Sequence, residues 1–255
     1  EASGQAEALP PASVAKALTA LYALDVLGAD HRFETRILAT GGVAGGVVKG
    51  DLILAGGSDP MLNTDHLALL AKALKTAGVR EVRGRFLVWD GSLPAVKTID
   101  PDQPDHVGYS PAVAGIALNF NRVHFEWKRA SGGSWAITMD ARTEKYRPEV
   151  VNARMKIASR SGPVYTYAEK GGVDHWTVAS KALGKGGSRW LPVRNPAAYS
   201  GDVFRTLARA NGIKLDKAKA AKSLPKSQLL ARHHSPPLDM MLKAMLKYSN
   251  NLMAR

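Results

Sequence analysis

The segment PPASVAK holds a serine and a lysine three residues apart. Ser13 and Lys16 stand at the head of an apolar run that reaches Leu24, directly after two prolines. If this run is a helix, the two side chains share one face. Ser13 then lies at the helix N-terminus, where free backbone N–H groups favour an alkoxide or oxyanion. Apolar neighbours would desolvate Lys16 and favour a neutral amine that can take the serine proton. The alternative is that Ser13 is an ordinary helix N-cap.

A second cluster of short polar side chains, Ser249–Asn250–Asn251, lies near the end of the chain after a predicted helix. In a lysine-activated serine enzyme, a second serine can relay the proton while an amide holds the lysine and the substrate carbonyl. The alternative is a polar helix C-cap, where Asn is common. Another Ser-x-x-Lys, from Ser223 to Lys226, lies in a polar stretch broken by proline and is expected to be inert.

The composition excludes several kinds of site. The 255 residues include no cysteine, so disulfides, cysteine–zinc sites and thiol nucleophiles are excluded. The seven histidines are scattered without metal-ligand spacing, and neither a P-loop nor a G-x-S-x-G elbow occurs, so we expect no metal and no cofactor. The net charge is +13, but the basic residues are dispersed. The simplest interpretation is a solvated basic surface. Association with anionic membrane or wall surfaces is the alternative, and a dedicated nucleic-acid site is not expected.

The order of predicted elements indicates the fold class. Apolar periodicity and glycine stops predict helices over 13–27, 65–77, 201–211 and 237–247. The middle of the chain holds the β-type runs FETRILAT, VVKGDLILAG, VRGRFLVWD, LNFNRVHFEWK and SWAITMD, while GGVAGG reads as a hairpin turn and 95–110 as a loop. We therefore predict an α/β chain of the multidomain α+β type, in which a helical layer is interrupted by a large insertion.

With both motifs placed, the chain resembles the class C low-molecular-mass penicillin-binding proteins, the D-alanyl-D-alanine carboxypeptidase/endopeptidase family. PPASVAK is similar to the family's P-A-S-x-x-K, and MLKAMLKYSNNLMA to its helix running into Ser-Asp-Asn. Between them, VKGDLILAGGSDPML, LLAKALKTAGVREVRGRFLVWD and YSPAVAGIALNFNRVHF resemble family segments in the same order. The 236 positions between Ser13 and Ser249 leave room for the extra domains that the family inserts there.

The resemblance implies a periplasmic or otherwise exported serine peptidase. It would cleave the terminal D-Ala–D-Ala bond of peptidoglycan stem peptides, and D-Ala cross-links when it works as an endopeptidase. Ser13 would be the nucleophile, Lys16 the base and Ser249 the proton shuttle, while Asn251 would orient Lys16 and the substrate. Penicillins and other β-lactams would acylate the same serine.

The resemblance also implies a domain layout, that of a β-lactamase-like transpeptidase domain with a β-rich and α/β insertion. Residues 1–31 and 197–255 would form the helical part of the transpeptidase domain. Residues 32–61 and 131–196 would form an inserted β-rich domain, and residues 62–130 a nested α/β domain.

Two features depart from the family pattern. Asn250 stands where the family usually has Asp, and a shifted reading, Tyr248-x-Asn250, matches the Tyr-x-Asn of another β-lactamase class. We prefer Ser249 and Asn251 because the preceding MLK then aligns without a gap.

The second departure is the family's K-T-G motif, which is absent, since KTAG at 75–78 closes a helix inside the insertion. We therefore expect a piece of a longer protein, associated with its own N- and C-terminal segments and inactive alone. A β-lactamase and a non-catalytic wall-binding protein are the competing functions.

Overall fold

The computed structural model describes residues 10–255. Its α-helices are α1 Ala15–Leu27, α2 Thr64–Thr76, α3 Pro196–Ala210, α4 Leu238–Tyr248 and α5 Asn251–Ala254. Its strands are β1 Glu34–Ala39, β2 Val43–Ala44, β3 Val47–Val48, β4 Leu52–Ala55, β5 Glu81–Val82, β6 Phe86–Trp89, β7 Arg122–Arg129, β8 Trp135–Asp140, β9 Ala153–Ala158, β10 Tyr165–Lys170, β11 Val173–Ala179, β12 Gly186–Pro192, β13 Ala218–Ala220 and β14 Gln228–His234. Short 3-10 turns cover Ala12–Val14, Leu118–Asn121, Ser131–Gly133 and Ser180–Ala182.

The largest sheet has five strands in the order β13-β6-β4-β1-β14. β4, β6 and β13 run parallel, while β1 is antiparallel to both β4 and β14. The central strands β4 and β6 are short apolar runs, as expected for strands that are covered on both faces. α2 and α3 pack together and contact this sheet. Gly201 allows the approach of α3, since a Cβ there would lie 2.8 Å from Val88 Cγ2.

Three smaller sheets complete the β-rich middle of the chain. Strands β12, β7 and β8 form one antiparallel sheet, and β10, β11 and β9 form another in which β11 and β9 run parallel. The third holds β2, β3 and β5. The predicted GGVAGG hairpin is present, with Gly45 and Gly46 in its turn at positive φ.

α1 packs on α4 and α5 through a small separate core. Its buried members are Ala20, Leu238, Leu242 and Met245. The leucines whose spacing predicts α1 lie on the opposite face: Leu18 is 71% exposed and Leu21 is 64% exposed. Within residues 10–255, no helix combines the length and the apolar character needed to cross a bilayer.

Two sequence expectations about local structure differ from the structure. LNFN was predicted as the start of a strand, but Asn119, Phe120 and Asn121 adopt left-handed backbone angles and the strand begins at Arg122. Asn tolerates this region better than other non-glycine residues, and buried side-chain bonds hold the turn. α3 begins at Pro196, earlier than predicted, because Asn195 caps it by accepting from Ala198 N–H.

The predicted domain boundaries divide the strands of the five-stranded sheet among different domains. Its strands come from all three predicted segments, since β1 and β4 lie in 32–61, β6 in 62–130, and β13 and β14 in 197–255. Those boundaries therefore cut across one hydrogen-bonded sheet. The division into domains stays a prediction.

Candidate active site

The fold brings the two polar motifs into direct contact. Ser13 precedes α1, and Ser249 follows α4, so the packing of these two helices places their adjoining ends side by side. Ser249 Oγ donates a hydrogen bond to Ser13 Oγ at 2.7 Å, across 236 positions of sequence. The polar cluster is thus a tertiary feature and not two unrelated helix ends.

Ser13 and Lys16 are also joined as predicted from their spacing. Lys16 Nζ lies 3.1 Å from Ser13 Oγ. The Ser13 side chain makes no capping bond to the helix, so the N-cap alternative is wrong. Lys16 is only 9% exposed, and no carboxylate in the described part of the chain forms an ion pair with it. A buried amine without a carboxylate partner suits proton exchange with the hydroxyl that it contacts.

The backbone is strained at Ser249 and at the residue before Ser13. Ala12, immediately before Ser13, has a φ of 46°, and Ser249 has a φ of 51°. Such left-handed angles are costly for residues other than glycine, and they concentrate at functional sites. Ser249 is also the C-cap residue of α4, as the alternative reading required, yet its hydroxyl points to Ser13. The cap position and the contact with Ser13 are therefore compatible.

The two asparagines after Ser249 have different partners. Asn250 caps α5 by accepting from Met253 N–H at 3.1 Å, a bond that the family's usual Asp could also accept. Asn251 Nδ2 donates to Tyr109 O at 3.2 Å, so its observed contact is with a loop and not with Lys16. Tyr248 is 71% exposed. The geometry thus brings Ser249, and not Tyr248, to Ser13.

The loop before Ala112 forms part of the site, although no motif in the sequence indicates this. An open cleft of about 550 Å³ is lined by Ser13, Lys16, Asn251 and Asp100. The Asp100 carboxylate is engaged within the loop, where it accepts from Asp102 N–H and from Gln103 Nε2. A proline-rich segment without periodicity predicts only a loop, so its place beside the serines comes from tertiary structure.

The other motifs of the sequence lie away from this site. Ser223 and Lys226 are both exposed in the segment between β13 and β14. Lys75 stands in the last turn of α2, and Gly78 follows with a φ of 80°, which is an ordinary helix ending. Neither segment contributes a side chain to the clefts around Ser13 and Ser249.

Comparison with known proteins agrees with the fold. The structure of penicillin-binding protein 4 (dacB) from Haemophilus influenzae matches with a TM-score of 0.76 and 23% identity, covering 96% of this chain and 55% of that one. A second structure of that protein, complexed with a β-lactam, gives a TM-score of 0.71 at 24% identity. The predicted mixed α+β class, with several sheets, is thereby confirmed.

Proteins of similar sequence belong to the same group as these structural matches. The D-alanyl-D-alanine carboxypeptidase of Actinomadura sp. strain R39 is 28% identical over 96% of this chain and 48% of its own length. The carboxypeptidase DacB of H. influenzae is 28% identical over 95% of this chain and 52% of its own. The chain therefore spans about half the length of these curated relatives. The model of the D-Ala-D-Ala carboxypeptidase 3 (S13) family matches residues 2–255, and the chain belongs to this family of class C low-molecular-mass penicillin-binding proteins.

Proposed function

We propose that the protein is a serine D,D-peptidase that forms an acyl-enzyme on Ser13. One observation carries the proposal: Ser13 Oγ lies 3.1 Å from the buried Lys16 amine and 2.7 Å from Ser249 Oγ. A nucleophile in contact with both a base and a second hydroxyl has the arrangement that acyl transfer needs. Membership of the S13 family supports the same reaction.

The proposed reaction uses the three side chains in turn. Ser13 gives its proton to Lys16 Nζ while Oγ bonds to the carbonyl carbon of the penultimate D-alanine. When the tetrahedral adduct collapses, the C–N bond breaks. The leaving amine takes a proton from Ser249, which regains one from the Lys16 ammonium. Water then attacks the ester on Ser13, and the shortened peptide leaves with a new carboxylate. The predicted role of Asn251 is to orient Lys16 and the substrate.

The substrate and the compartment follow from the same proposal. Peptidoglycan stem peptides ending in D-Ala–D-Ala would be the substrates, and β-lactams would acylate Ser13 as mimics of that bond. Such substrates lie outside the cytoplasm, so the protein would act in the periplasm or be otherwise exported. The net charge of +13 supports contact with anionic wall or membrane surfaces. We also infer that the chain works together with further segments of its own protein.

The test is intact mass spectrometry of the full-length protein after incubation with penicillin. We expect one stable addition of the mass of penicillin, lost in Ser13→Ala and strongly slowed in Lys16→Met. Ser223→Ala is the matched control, because it removes the serine of the other Ser-x-x-Lys segment and should leave the addition intact. Release of D-alanine from a peptide ending in D-Ala–D-Ala is then measured with the same variants.

Each competing function has its own result in this experiment. Rapid turnover of penicillin without a lasting adduct would indicate a β-lactamase. The absence of any adduct and of any D-alanine release would contradict the proposal and favour a wall-binding protein.

A further inference from the structure

A cleft of about 470 Å³ lies at the edge of the five-stranded sheet, where β14 pairs with β1. Three cationic residues line this β1–β14 cleft: Arg36 in β1, Arg232 in β14, and Lys226 in the segment that precedes β14. Glu34 is the one acidic residue among those that line it, all of which belong to the described part of the chain. The β1–β14 cleft shares no lining residue with the clefts of the candidate active site, so it is a separate feature of the fold.

The register of the two strands holds two of these cations together. Arg36 and Arg232 are direct partners in the antiparallel pairing of β1 with β14. Directly opposed residues project from the same face of a sheet, with their Cβ atoms about 5 Å apart. Like charges in such a pair destabilise the sheet, and Lys226 brings a third positive charge to the same cleft. The fold therefore keeps a repulsion that an acidic residue at either strand position would remove.

No group in the described part of the chain offsets the charge of Arg36. Its Nε is buried without a hydrogen-bond partner, and within residues 10–255 it forms no ion pair. Its partner on the other side of β1 is Ala55 of β4, which is fully buried and offers no acceptor side chain. Glu34 is already engaged, since its Oε1 lies 3.3 Å from Arg232 Nη1 and 3.5 Å from His234 Nδ1. An anion that satisfies Arg36 is therefore expected from outside the chain.

Most other partly buried arginines in the described residues have acceptors within the protein. Those that donate to carboxylate, carbonyl or hydroxyl oxygens are Arg142, Arg160, Arg194 and Arg205. Arg122 also has a buried Nε without a partner, but its guanidinium lies over the rings of Phe120 and Trp190. Arg36 has neither kind of contact within residues 10–255. A partly buried cation without a partner loses hydration with no compensation, so a ligand explains its position better than packing does.

We propose that the β1–β14 cleft binds the phosphate group of an organic phosphate ester. A phosphate presents several charged oxygens at once, so it can take the two parallel N–H donors of an arginine fork together with the other cations. Lys226 belongs to the second Ser-x-x-Lys segment, and its exposed ammonium suits charge recognition rather than catalysis. Leu229, which is 44% exposed, also lines the cleft and favours a ligand with carbon beside the phosphate over inorganic phosphate.

The phosphate can belong to a soluble ester or to a lipid headgroup at a membrane surface, and two probes distinguish these sources. Calorimetric titration of the full-length protein with glycerol 1-phosphate tests the soluble ester. Co-sedimentation with phosphatidylcholine vesicles, with and without phosphatidylglycerol, tests the headgroup. Both are done at low ionic strength, because salt screens exposed charges. We expect Arg36→Gln to weaken binding of the recognised probe about 10-fold to 100-fold.

Three controls separate recognition by the cleft from the general effect of positive charge. Arg83→Gln removes the same charge from an exposed position outside the cleft and should keep the full affinity. Arg36→Lys keeps the charge but loses the fork, so it should retain only part of the affinity. Succinate, a dicarboxylate, should bind at least about 10-fold more weakly than glycerol 1-phosphate. Arg36 is a better target than Arg232, because removal of Arg232 would also break its ion pair with Glu34.

A measurement without ligand shows whether Arg36 serves folding instead. Removal of one of two opposed charges should raise the melting temperature of Arg36→Gln by about 1–3 °C. A lower melting temperature would mean that Arg36 supports the fold, and it would overturn the inference. Binding of neither phosphate probe, equal weakening by Arg83→Gln and Arg36→Gln, or equal affinity for succinate and glycerol 1-phosphate would overturn it as well. Binding of either probe that depends on Arg36 supports the inference and identifies the source of the phosphate.

Discussion

A buried acid–histidine cluster predicts an unusual dependence of stability on pH. Asp59 follows β4 and is 1% exposed. Its Oδ1 accepts from Met61 N–H at 2.9 Å, while its Oδ2 has no hydrogen-bond partner and lies 3.8 Å from His233 Nε2. The His233 ring stacks on His66 with 4.0 Å between centroids. Both groups thus lie where charge is poorly solvated.

Burial shifts the pKa values of the two groups in opposite directions. It raises the pKa of Asp59 from 3.8 to about 6. Burial, together with His66 and His234, lowers the pKa of His233 from 6.5 to about 4. The stability that Asp59 contributes is therefore complete below pH 3.8 and is lost as the pH rises through about 6. The contribution of His233 is complete above pH 6.5 and is lost as the pH falls through about 4.

The two effects cancel between about pH 4 and pH 6. In this range the unfolded chain has ionised Asp59 and protonated His233, and the folded chain has the reverse, so both states bind one proton. The pKa shift of each group changes the free energy of unfolding by about 3 kcal/mol over the pH range between its unfolded and folded pKa values. Asp59→Asn removes one of these contributions and keeps an Oδ1 acceptor for Met61. Its stability relative to the unmutated protein should rise by about 3 kcal/mol between pH 4 and pH 7.5.

The assay is urea unfolding, followed by tryptophan fluorescence, at a series of pH values from 4 to 7.5. His233→Gln should show the reverse. Its stability relative to the unmutated protein should fall as the pH rises from 4 to 6.5. Asp102→Asn, an exposed carboxylate, is the control and should give a curve parallel to the unmutated protein. Parallel curves for Asp59→Asn would refute the reasoning. A relative loss of stability at neutral pH would indicate that Asp59 and His233 form an ion pair instead.

Three further predictions concern catalysis and packing. Ser249→Ala should slow acylation by penicillin about 100-fold or more, with little change in the melting temperature, because the Ser249–Ser13 bond is exposed. Gly201→Ala should destabilise the protein by about 1–3 kcal/mol in urea unfolding, despite the better helix propensity of Ala, because the new Cβ would lie 2.8 Å from Val88 Cγ2. Asn63→Ala should cost about 1 kcal/mol in the same assay by removing the acceptor for His66 N–H, while Asn63→Ser should cost less.

Much of the local structure could be predicted from the sequence because it depends on local rules. The face of α2 formed by Leu67, Leu70, Ala71 and Leu74 is buried as predicted, and α4 begins and ends within one residue of its expected bounds. Periodicity also predicts α1, but it does not say which of its faces has a neighbour. The face with Lys16 and Ala20 is the buried one.

The site could be predicted only where short motifs carry it. Ser13, Lys16 and Ser249 belong to such motifs, and the structure brings them together. Tyr109 has no motif, because its place beside Asn251 depends on how a loop packs against the site. The alternation of apolar and polar residues around Phe120 is typical of a strand. The left-handed turn forms there because tertiary hydrogen bonds stabilise it over the extended backbone.

The five-stranded sheet meets the helices of the candidate site at a junction between Phe33 and Ser235. The chain leaves the α1 region at Phe33 and returns at Ser235, which is fully buried. Phe33 N–H donates to Ser235 Oγ at 2.9 Å, Ser235 N–H donates to Phe33 O at 2.9 Å, and Arg32 Nη1 donates to Ser235 O at 2.8 Å. The neighbouring pair Glu34 and His234 continues this junction as the first pair of the β1–β14 register.

This junction contributes to the distance between the two serines. α4 starts three residues after Ser235 and has 11 residues, a length of about 16 Å. A tilt of about 10° at Ser235 would therefore displace the far end of α4 by about 3 Å. The core that α1 shares with α4 is small, with Ala20, Leu242 and Met245 among its few buried members, and provides limited resistance to such a tilt. A shift of this size would break the 2.7 Å bond between Ser249 and Ser13, so the register of β1 against β14 is part of what assembles the site.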